Sequence, residues 1–63
     1  MDKLITISVE LTRQQAWDLA QFLKRAGFYT YRECAQDDAE ANSMLRATEE
    51  VRKELARAGF APR

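Results

Sequence analysis

Histidine is missing from the 63-residue chain, and cysteine, proline and tryptophan occur once each. The first absence removes the side chain most often used as a general acid or base near neutral pH. The lone thiol, Cys34, has no such base beside it, and the two glycines, Gly27 and Gly59, make no phosphate-cradling loop. The sequence therefore reads as non-enzymatic, with no cofactor, no metal and no small-molecule substrate. A single cysteine forms no internal disulfide, and Met1-Asp2-Lys3 leads into an alternating stretch where a signal peptide has an apolar run; both imply a cytoplasmic protein. No apolar run approaches the roughly 20 residues that span a bilayer, so the membrane is not expected as a partner. An excess of one charge is lacking too. Ten basic residues balance ten acidic ones, which argues against a general polyanion binder. The balance tilts mildly along the chain, with five basic and three acidic residues up to Arg32 and five and seven after it. Glu33, Asp37, Asp38 and Glu40 are the sharpest cluster, but their spacing is not that of a calcium loop, and a helix N-terminus accounts for them.

What is present is mostly helical pattern. Ala41, Met44, Thr48, Val51, Leu55 and Ala58 recur at spacings of three and four, a narrow apolar seam on one helix spanning 38–58. Asp37 or Asp38 can cap its first amides, Asp37 with Glu40 making a capping box; Gly59 supplies a left-handed stop, Phe60 folds back on Leu55, and Pro62 prevents resumption. Its charges lie mostly off the seam, with pairs such as Glu49 and Lys53 favourably oriented. Upstream, Thr12 with Gln15 makes a second capping box, opening a helix over 13–26 that ends at Gly27. Ala16, Leu19, Ala20, Phe22, Leu23 and Ala26 share its broad apolar face. Thr30 and Glu33 offer a third box for a short helix over 31–36, on which Cys34 reads as a small core residue.

Residues 4–11 break the helical rhythm. Ile5, Ile7, Val9 and Leu11 alternate with Leu4, Thr6, Ser8 and Glu10, which predicts a β-strand with one buried face. The predicted fold class is therefore α+β, mostly helical, in the order β-α-α-α as a single small domain over 1–63. A strand with no internal neighbour needs a partner for its backbone groups, and pairing with a second copy predicts a homodimer through Ile5, Ile7, Val9 and Leu11.

Turning 100° per residue puts Trp17 nearly opposite the centre of the Leu19, Phe22, Leu23 and Ala26 face. Arg13, Gln14, Gln21 and Lys24 stand on the same side, giving an aromatic anchor in a polar surround, the composition of a binding hot spot for a protein partner. The alternative is that a neighbouring element covers Trp17. Phe28, Tyr29 and Tyr31 form a second aromatic group at a helix junction, read as core-lining and not as a base-stacking platform.

Two resemblances follow. The strand-helix-helix order resembles ribbon-helix-helix regulators, dimers whose paired strands enter the major groove. That resemblance implies DNA as partner, with Thr6 and Ser8 reading bases, although Glu10 would then face phosphates and the outward strand face carries no Lys or Arg. In wording, Ile7-Ser8-Val9-Glu10-Leu11-Thr12, Gln15-Ala16-Trp17, Ala20-Gln21-Phe22-Leu23-Lys24-Arg25, Asp37-Asp38 and Ala58-Gly59-Phe60-Ala61-Pro62-Arg63 look like a family of small proteobacterial proteins of unknown function, often carried by phages and integrative elements. This likeness implies a setting in the host cytosol and no catalytic residues. The expectation is a non-enzymatic protein that binds a macromolecule, an anti-CRISPR-type inhibitor of a host defence complex being its most specific version by analogy. A ribbon-helix-helix DNA-binding regulator is the alternative.

Overall fold

In the computed structural model, which describes residues 3–63, three helices follow one another: α1 (Arg13–Arg25), α2 (Phe28–Cys34) and α3 (Asp38–Arg57). Among the described residues there is no strand, so the fold is all-helical and the expected β-α-α-α order is overturned. Residues 3–11 form an irregular arm ahead of α1. The physical reason lies in the chain's own inventory. A strand is defined by its ladder, and this chain holds no second β-type stretch to supply one. Ile5, Ile7, Val9 and Leu11 alternate as predicted but have no sheet in which to bury a face, and all four are exposed.

The helix ends follow local chemistry. Thr12 Oγ1 accepts from the Gln15 amide, and Gln15 Oε1 accepts from the Thr12 amide, both at 3.0 Å, completing the box that starts α1. At α3, Asp37 Oδ1 accepts from the Glu40 amide at 2.8 Å. Glu40 does not reciprocate to Asp37; its Oε1 reaches one residue further back and accepts from the Gln36 amide at 2.8 Å. The far end of α3 is a Schellman stop. Phe60 N donates to Leu55 O at 2.8 Å, Gly59 N donates to Ala56 O at 3.0 Å, and Gly59 takes a φ of 103° that a side chain would resist. The short helix covers Phe28–Cys34, where 31–36 was expected. Thr30 therefore sits inside its first turn, its hydroxyl accepting from the Gly27 amide at 3.4 Å. Cys34 is exposed at its end and is not the core residue expected. On the solvated face of α3, Lys53 pairs with Glu50 at 2.9 Å and not with Glu49.

α3 is the element against which both other helices pack. The buried residues are Ala16, Ala20 and Leu23 on α1, Tyr31 on α2 and Ala41 on α3, so three of the five are alanines. An alanine without exposure means neighbouring atoms lie directly on its Cβ, which lets helices approach closely but gives little apolar area per residue. Two polar ties lock α2 onto α3. Thr48 Oγ1 lies 3.0 Å from the Tyr31 hydroxyl and 2.9 Å from the Leu45 carbonyl. A carbonyl only accepts, so the Thr48 proton goes there and Tyr31 donates to Thr48. Arg32 Nε meets Asp38 Oδ1 at 2.7 Å while its terminal nitrogen donates to the Ala35 carbonyl at 3.0 Å, bracing the turn between the helices.

The buried side of α1 holds five of the six residues expected on it, with Phe22 the exception. Ala16, Ala20 and Leu23 face inward, Leu19 and Ala26 are half-buried, and Phe22 is 53% exposed. A small-residue line fits against α3 where the ring of Phe22 would hold the helices apart.

This packing predicts the outcome of enlarging a buried alanine. Ala41→Leu overpacks the α3 contact at a cost of about 1–3 kcal/mol. In a chain this short that lowers Tm by at least about 4 °C in a thermal melt. Ala47→Leu, on an exposed position of the same helix, changes stability by no more than about 0.5 kcal/mol.

Candidate interaction surface

The sequence-predicted stripe Gln14, Trp17, Gln21 and Lys24 lies along α1 at spacings of three and four, which on a regular helix is one continuous line. It stands about 110° from the buried Ala16, Ala20 and Leu23 line at 100° per residue. Lys24 and Gln14 are exposed, and Gln21 is half-buried at the edge of a shallow concavity shared with Asp18, Phe22 and Thr30. Gln14 Nε2 donates to Asp18 Oδ1 at 2.9 Å, so its amide is oriented by its own helix.

Trp17 is 37% exposed, between the two states the sequence left open. Its cover is the residue after the α3 stop: Phe60 meets it edge to face, with centroids 5.1 Å apart and planes at 74°. Arg13 lies over the Phe60 ring with its guanidinium carbon 5.6 Å from the centroid, a cation-π contact. The outcome is a stacked trio, Arg13, Phe60 and Trp17, that holds the indole in one orientation while leaving part of its face to solvent. A held, half-exposed indole loses little further freedom on binding, which is what a hot spot needs. Sequence reasoning missed Phe60 as the indole's neighbour. The Gly59 stop announces that the chain turns back at Phe60, but which α1 residue it meets depends on how α1 lies on α3.

The other expected site residues are arranged differently. Thr6 and Ser8 are exposed on the irregular arm, without the strand that ribbon-helix-helix base reading uses. Of the second aromatic group, Tyr31 is buried, Phe28 is half-buried and meets Tyr29 edge to face at 5.7 Å, and Tyr29 is exposed. Three of the four clustered acids have protein partners: Asp37 caps α3, Glu40 takes the Gln36 amide and Asp38 pairs with Arg32. Among the described residues no three His, Cys, Asp or Glu side chains converge as a metal site, and no helix is long and apolar enough to cross a membrane.

The model of a family of unknown function, DUF7706, matches residues 1–63, the whole of the chain. The chain belongs to the DUF7706 family. No curated protein and no solved structure matches it. Membership in DUF7706 carries no activity and no partner with it, so the surface itself is what bears on function.

The single tryptophan makes the trio directly observable. Phe60→Ala uncovers one edge of the Trp17 ring, so the fluorescence maximum moves to longer wavelength. Loss of an edge-to-face pair worth about 0.5–1.5 kcal/mol beyond its area lowers Tm by several degrees. An unchanged emission spectrum would show that something other than Phe60 shields the indole.

Proposed function

We infer that this chain is a non-enzymatic interaction protein of a phage or mobile element, and that Trp17 with Gln14, Gln21 and Lys24 forms the surface that meets a macromolecular partner. The observation that carries the reading is the Arg13, Phe60 and Trp17 stack. It spends a cation and a second ring on presenting an indole that a compact core would otherwise absorb. Neutral amides with Lys24 and the ring-bound Arg13 around the indole suit a protein partner, whose hot spots are rich in tryptophan and arginine set in a surround that excludes water. The phage or mobile-element setting rests on the resemblance of the Ile7–Thr12, Ala20–Arg25 and Ala58–Arg63 segments to small proteins carried there. An inhibitor of a host defence complex is the most specific form of that setting, and the host cytosol is where it would act.

DNA is the competing partner. A duplex binder gains most of its affinity from lysines and arginines on phosphates, and this chain has no net charge to offer.

Two measurements test the reading. Tagged full-length chain and its Trp17→Ala variant are used to capture partners from the native host, with recovered proteins quantified. The protein enriched by the native chain is expected to fall at least about tenfold with the variant. Far-UV circular dichroism at the capture temperature verifies that the helices of the variant persist. Equal recovery by a folded variant removes Trp17 from the interface. In parallel, fluorescence titration with duplex DNA at about 150 mM salt is expected to show no sequence-selective binding. Submicromolar, sequence-selective binding that weakens steeply as salt rises would replace this reading with a DNA-binding regulator.

A further inference from the structure

A broad concavity lies between the arm and the α1–α3 face, with Ile5, Ile7, Val9 and Leu11 along one wall and Val51 and Leu55 of α3 among the residues of the other. Its volume is about 660 Å³. Exposure along the arm falls steadily toward α1, from 86% at Ile5 through 71% at Ile7 and 67% at Val9 to 41% at Leu11. Four consecutive alternate positions thus hold aliphatic side chains in water beside an apolar groove. Monomeric proteins rarely leave so contiguous an apolar surface uncovered.

We propose that a second copy of this chain covers this face, each arm laying Ile5, Ile7 and Val9 against the Val51 and Leu55 wall of the other copy about a two-fold axis. The contact is one of side chains and needs no sheet. It lies on a different side of α1 from the Trp17 stripe and goes beyond the partner reading above.

Three quantities select a second copy as the occupant. The accessible surface is 5642 Å², whereas a folded monomer of 7.3 kDa is expected to expose roughly 4,200 Å². The excess of roughly 1,500 Å² per chain is, for two chains, the size of an obligate dimer interface and well above what a transient contact buries. The radius of gyration tells the same story, at 12.7 Å against about 10.6 Å for a compact chain of this length. Charge does not oppose the pairing. Net charge is zero, and the two acids at the groove, Glu50 and Glu54, are already paired with Lys53 at 2.9 Å and Arg57 at 3.2 Å. A two-fold arrangement also brings one arm and one groove from each copy, so both exposed features are covered by a single self-complementary contact.

Sedimentation equilibrium and thermal melts of the full chain from about 1 to about 200 µM test this. The expected result is a dimer with a Tm that rises with concentration. Ile7→Asp on the arm and Val51→Asp on the groove wall are each expected to weaken the dimer at least about tenfold, since each puts a carboxylate into the apolar contact. Should either variant lose its helices outright, the concentration dependence of the native chain's Tm decides instead. A native chain that is monomeric at the top of that range with a constant Tm overturns the proposal. So does a dimer whose stability neither folded variant changes, because the copies would then meet elsewhere. The groove adjoins the Trp17 cover through Phe60, but Trp17 itself is not among its lining residues, so the Trp17→Ala capture experiment reads a separate contact.

Discussion

Everything in this molecule depends on α3 serving as the common support for α1 and α2. Each of the two shorter helices packs on it, and the residues that make the approach close are Ala16, Ala20 and Ala41. Small side chains bring backbones together, and the same smallness limits how much apolar area each contact removes from water. Specific polar links, Tyr31 to Thr48 and Arg32 to Asp38, supplement that limited burial. Of the larger aliphatic side chains Leu23 is buried, while those of the arm and Val51 on the groove wall are exposed.

That exposure connects packing to function. A small chain that buries alanines and exposes isoleucines has its adhesive surface on the outside, and such surface is either covered by a partner or drives aggregation. The two candidate surfaces differ in kind. The arm and groove are aliphatic, extensive and self-complementary, qualities suited to a permanent contact. The Trp17 stripe is small, rimmed by amides and braced by Arg13 and Phe60, qualities suited to recognising something else. Both flank α1, so a dimer formed through the first would present two copies of the second.

Much of the helical plan was legible from residues alone. Helices over 13–26 and 38–58 were expected, and Arg13–Arg25 and Asp38–Arg57 were found. The arm was misread because alternation reports which residues could share a face, not whether a sheet exists to make that face. Phe22 was placed inward because hydrophobicity ranks it above alanine. The helix interface instead selected residues by how closely they allow α3 to approach. Phe60 was read as turning back on Leu55, and its backbone does so, but its ring finds Trp17.

The sequence by itself determined where α1 and α3 start and stop, though not the bounds of α2, because the signals at their ends act over three to five residues. The Thr12 and Gln15 box, the Asp37 cap and the Gly59 stop all close within that span, and any chain carrying them would use them. It also determined the charge balance, and with it the case against a polyanion as partner. Only the tertiary structure decided that Phe22 stays outside the α1 interface, what covers Trp17, and that residues 3–11 join no sheet. Those outcomes depend on contacts between residues far apart in the chain, and the energy of such a contact belongs to the pair and not to either residue's own preference.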